Sequence, residues 1–169
     1  HEYFLEGQSS IRRLATLGIW QPDWTKIEYP DFPTLGRFEA DHFNPGEWKP
    51  EDPNSAFHNM RPEDAYWAAR IVMAFTDEDI RTIVRTGELT DAVAAEYLVE
   101  TLIKRRDKIG RHWLTAINSA DHFVLKDDHL SFESLSGMYG LGPQPDDYVV
   151  RWFEYDNEHE VRIPAGEQQ

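Results

Sequence analysis

The chain has 169 residues, 40% apolar and 13% aromatic, with a formal net charge of -14 and no cysteine. That length suits one domain, or one with a small appendage, and so many apolar and ring residues argue against disorder. The acidic balance argues against nonspecific binding to nucleic acid or anionic lipid, and the lack of thiols excludes disulfides, thiolate metal sites and a cysteine nucleophile.

The chain opens on HEYFLEGQ without an initiator Met, the pattern of a processed product or a fragment. Residues Ser9 to Leu17 form a short amphipathic stretch. Ile11, Leu14, Ala15 and Gly18 share its apolar face, Ser10 is the expected N-cap and Gly18 the stop. From Gln21 to Met60 the pattern is irregular. Pro22, Pro30, Pro33, Pro45, Pro50 and Pro53 forbid a continuous helix. Trp24, Tyr29, Phe32, Phe38, Phe43, Trp48 and Phe57 are more rings than a flexible linker carries. The segment therefore reads as an ordered wrap whose rings plug into a helical body, with Trp24, Phe43 and Trp48 as candidates for a partner surface.

A three-helix core follows. Pro62 suits a first helical position, and the helix continues through Ala65 to Phe75. Thr76 with Asp79 forms a capping box for a second helix, which buries Ile80, Ile83 and Val84 and stops at Gly87. Thr90 or Asp91 caps the third and longest helix, expected to run to about Asn118. The last third changes period. HFVLKDDHLSF and YVVRWFEYDNEHEVRI alternate around Asp127-Asp128 and Asp156-Asn157-Glu158, as β-hairpins do, with GMYGLGPQP as a turn-rich connector. The expected class is mainly α with a small β part (α+β). Its helical domain covers 1–118, including the wrap at 21–60, its β-hairpin appendage 119–164, and its frayed tail 165–169. No apolar run approaches the ~20 residues of a membrane span.

Arg106 is the sharpest single feature. At helical pitch, Leu98, Leu102, Ile109 and Trp113 fall on one stripe with Arg106 inside it, while Lys104, Lys108 and Arg111 point away. A guanidinium aimed at a core needs a counter-charge, because stranding it costs several kcal/mol. Glu39 or Asp41 from the wrap is the expected partner in a buried ion pair. A bound phosphate or carboxylate held by Arg105 and Arg106 is the alternative. Five of the seventeen Lys and Arg residues lie between Lys104 and Arg111, a cluster that reads first as a solvated helix face.

Acid-His pairs recur at Asp41-His42, Asp121-His122, Asp128-His129 and Glu158-His159, but adjacent residues on a strand face opposite sides, and HExxH and His-x-His spacings are absent. No P-loop, GxGxxG or GxSxG occurs. The residues thus point to no metal, no cofactor and no catalytic group.

The run from GRFEADHFNPGEWKPEDPNSAFHNMRPEDAYWAARIVMAFTDEDIRTIVRTGE to YLVETLIKRRDKIGRHWL, with HEYFLEG before it and FESLSGMYGLGP after it, resembles a family of large uncharacterised bacterial proteins. Many come from Acidobacteria-like sources, and many carry an export signal. In that family a kinase-like region comes first, with a strand lysine, an Asn and a metal-binding Asp-Phe-Gly. The resemblance implies that this chain begins after those ligands, as the helical end of a C-lobe followed by a β appendage, and it carries over no catalytic residue. The expectation is a non-catalytic structural or docking module of a larger kinase-like protein. Its partner would be a protein or the upstream part of the same polypeptide, in an extracytoplasmic (periplasmic) setting, with the cytoplasm left open. The alternative is a free-standing accessory subunit that grips its neighbours through the aromatic wrap.

Overall fold

The structure, a computed structural model, describes residues 7–21, 26–48, 50, 54–142 and 145–164. Trp24 and the tail at 165–169 lie outside them, as does the Ser10 side chain. In chain order the elements are α1 (Gly7–Ala15), α2 (Ser55–His58), α3 (Pro62–Met73), α4 (Asp77–Arg85), α5 (Ala92–Trp113), β1 (Ala120–Lys126), β2 (His129–Ser134), α6 (Leu135–Met138), β3 (Phe153–Asp156) and β4 (Val161–Pro164). The protein is mainly α with a small β part, its strands paired as two antiparallel hairpins, β1–β2 and β3–β4.

Local chemistry sets most helix ends. Pro62 opens α3, where Asp64 accepts the Arg61 N–H at 3.0 Å. At α4 the Thr76 hydroxyl accepts from the Asp79 N–H at 3.1 Å and the Asp79 carboxylate accepts from the Thr76 N–H at 2.9 Å. Asp79 is held below the usual carboxylate range, mainly by the hydrogen bond from the Thr76 hydroxyl. Gly87 follows the C-cap Thr86, yet the left-handed residue is Glu88, with φ 48°. Asp91 caps α5, accepting from Val93 and Ala94. That helix stops at Trp113 instead of near Asn118; Leu114 is its C-cap, and the Asn118 side chain accepts the Ala120 N–H at 3.1 Å where the chain turns into β1. The helix α1 begins at Gly7, upstream of the Ser10 expected to cap it.

The main core joins Ala69 and Met73 of α3 to Leu114, Leu135 and Leu141. Leu114 and Leu135 are the largest side chains shut off completely from solvent. The core therefore crosses position 118. Gly110 makes the α3–α5 approach possible, since a Cβ there would run into the Met73 thioether. Asp127 and Asp128 both take positive φ (49° and 62°), the two-residue turn that matches hairpin twist. Ile83, expected in the core, is exposed.

Candidate functional site

Arg106 is met by carboxylates of its own chain, but not by the expected ones. Its Nη1 lies 2.7 Å from Asp77, its Nη2 2.7 Å from Asp107, and Nη1 also donates to the Phe75 carbonyl at 2.9 Å. Arg106 is 13% exposed, whereas Asp77 and Asp107 are 64% and 44% exposed, so the charge is neutralised at a rim. Burial works against the guanidinium, but the hydrogen bonds to Asp107 and Asp77 outweigh it and raise its pKa further. Phe75 and Asp77 flank the α3–α4 turn, so Arg106 ties that turn to α5.

The proposed pairing with Glu39 or Asp41 is therefore corrected. The Glu39 carboxylate accepts the His42 N–H at 2.8 Å within its own turn. What the wrap offers α5 is main chain. Arg105 Nε donates to the Glu39 carbonyl at 2.6 Å, and its guanidinium sits 4.1 Å from the Phe38 ring centroid and 4.7 Å from that of Phe43. Lys108, expected to point away, donates to the carbonyls of Ala40 (2.6 Å), Asp41 (2.7 Å) and Phe43 (3.3 Å). The Tyr97 hydroxyl donates to the Phe38 carbonyl at 2.9 Å. An irregular segment has no ladder for its carbonyls, so a cation that gathers three of them replaces secondary structure. Positions 97, 101, 105 and 108 share one face at helical pitch, but nothing local says that its complement is carbonyl oxygen.

Beyond Phe43 the wrap still meets α5 at Gly46, which lies against the His112 ring. Together with α3, α4 and α5 it encloses an open groove of about 1120 Å³. Trp48, Phe57, Met60, Phe75, Ile83 and Trp113 are among its walls. Trp48 and Phe57 meet edge to face, their centroids 5.3 Å apart, yet each stays 45% exposed. Of the three residues expected on a partner surface, Trp48 and Phe43 line this groove and Trp24 lies outside the described residues. Arg105 and Arg106, the expected anion contacts, also reach its wall, each engaged by carbonyl or carboxylate oxygen. Such a lining suits an aliphatic or aromatic guest.

A second polar cluster joins α3 to the β1–β2 hairpin. Arg70 Nη1 donates to both Asp121 oxygens (3.0 and 2.8 Å), and the Tyr66 hydroxyl donates to the Ser119 carbonyl at 3.2 Å. The hydroxyls of Ser119, Ser134 and Ser136 lie within 3.2 Å of one another. His122 takes a left-handed φ of 52° at a bulge and brings its Nδ1 to 2.6 Å from Glu133. For Asp121, burial pushes upward, but the N–H of His122 and the Arg70 guanidinium pull its pKa below the usual carboxylate value. Burial raises the Tyr66 phenol. The serine hydroxyls bond to one another and Asp121 and Glu133 each have a partner, so the cluster clamps the hairpin to the helices. Among the described residues no three His, Asp or Glu side chains are placed to hold a metal ion, and no helix is long and apolar enough to cross a membrane.

No family model matches the chain, and neither a curated protein nor a solved structure matches it at a significant level.

Proposed function

We propose that this chain is a non-catalytic docking module, the C-terminal lobe portion of a larger kinase-like protein, and that its groove receives an apolar segment of the partner. One observation carries the reading. A groove of about 1120 Å³ stays open between the wrap and α3–α5, walled by rings and aliphatic chains. Exposed apolar surface gathered in a concave site is what protein docking uses. Arg105 and Arg106 at the wall hold the scaffold in place, which supports a structural role for both.

The test compares this chain with a longer one extended upstream. In the longer chain, amide exchange across Trp48, Phe57 and Met60 is expected to slow, and ATP with Mg²⁺ is expected to bind. This chain alone should bind no ATP, so calorimetry showing tight ATP binding by it would overturn the reading. The exposed apolar residues of α1 and of the β3–β4 hairpin favour a second reading, a free-standing accessory subunit of a larger assembly.

A further inference from the structure

Among the apolar surfaces that the described residues leave open, two complement each other. One is the groove. The other is α1 with the turn after it, where Ile11, Leu14, Leu17 and Ile19 are 68 to 91% exposed. Among the described residues, none that lines the groove comes from α1. We infer that α1 of a second copy of this chain occupies the groove, by reciprocal exchange between two molecules; this rests on the docking reading above and names its partner.

Three observations support that occupant over another. The first is size. A nine-residue helix is about 13.5 Å long and about 10 Å across, a volume on the order of 1000 Å³, close to the groove's 1120 Å³. Charge is the second. Residues 7–19 carry Arg12 and Arg13 and no acid, in a chain of net charge -14. The rest of the molecule is strongly acidic, so the cationic helix of one copy is attracted to the body of another, although Asp77 and Asp107 at the groove rim are already shared with Arg106. The third is stability. A nine-residue helix with its apolar residues in water is too short to persist by itself, because helices under ~12 residues depend on packing. Reciprocal exchange closes as a two-fold dimer and leaves neither surface open.

The absence of cysteine makes the test clean. Leu14→Cys and Met60→Cys are prepared as two single variants, with Leu17→Cys and Phe57→Cys as a second pair against mismatch of reach. Mixed and oxidised, the two singles are expected to give a covalent dimer roughly tenfold faster than either variant alone, since docking raises the local thiol concentration. Light scattering on the unmodified chain should give twice the monomer mass, and Leu14→Glu should return it to one. A double variant that cross-links only within one chain would overturn the inference, although the groove would still be a docking site. Self-linking by Leu14→Cys alone would also overturn it, by placing α1 against α1. A monomer with neither cross-link would overturn the second-copy occupant; the docking reading would then fall as well only if an apolar dye such as bis-ANS found no site at Trp48.

Discussion

The two halves of the wrap both carry aromatic rings and behave differently. From Phe32 to Phe43 the segment lies against α5: Phe32 packs on Tyr97 with centroids 5.3 Å apart, Ala40 is buried, and Tyr97, Arg105 and Lys108 take up its carbonyls. From Pro45 to Met60 the segment still carries two rings, yet Trp48 and Phe57, with Met60, remain exposed along a groove. Rings therefore do not by themselves close an irregular segment onto a helix. What separates the halves is donors: the first half faces cations that collect main-chain oxygen, and the second faces the apolar groove side of α3, α4 and α5.

The largest effect should come from removing the collector. Lys108→Met leaves the carbonyls of Ala40, Asp41 and Phe43 without their charged donor and should lower stability by about 2 kcal/mol in urea denaturation. Protease cleavage should then appear between residues 38 and 44. Phe57→Ala, in the open half, should cost under about 1 kcal/mol because its ring is already half in water. Equal losses for the two variants would erase the distinction.

The Arg106 site comes next. Asp77→Asn alone should cost less than about 1 kcal/mol, since Asp107 still holds the guanidinium and both carboxylates face solvent. Asp77→Asn with Asp107→Asn should cost more than the two singles added together, and more than Arg106→Met, because only the double variant strands a largely buried cation. Strict additivity in a double-mutant cycle would remove the ion pair from the account of the α3–α4 turn.

The smallest effect separates the wrap from the β1–β2 hairpin by pH. Asp121 titrates lower folded than the ~3.9 of an unfolded aspartate, so its pairing stabilises the fold above that pH and is lost as pH falls through the folded value. Cation-to-carbonyl bonds in the wrap do not titrate there. Acidification below about pH 4 should therefore speed amide exchange in β1 and β2 before residues 38–43, and Asp121→Asn should flatten that acid dependence. Loosening of the wrap first would contradict the assignment of these two clamps.

Sequence alone determined what is local. The capping box at Thr76 and Asp79, Pro62 at the start of α3, Asp91 as a cap and the Asp127-Asp128 turn each depend on residues within four positions of one another, so their physics is printed in order along the chain. The mainly α class with terminal hairpins followed from periodicity for the same reason. Helical pitch also placed Arg106 inward, since phase is a local quantity. Its partners were not legible. Glu39 or Asp41 was the expected partner, and only the packing of α4 on α5 brought Asp77 to 2.7 Å. Lys108 was assigned to solvent because a single helix cannot reveal that another segment's carbonyls will arrive there. Ile83 showed the converse, a residue patterned for burial that ended on a groove wall because the wrap does not reach it. Which polar groups meet across 30 to 70 residues of chain is set by packing, and sequence spacing holds no record of it.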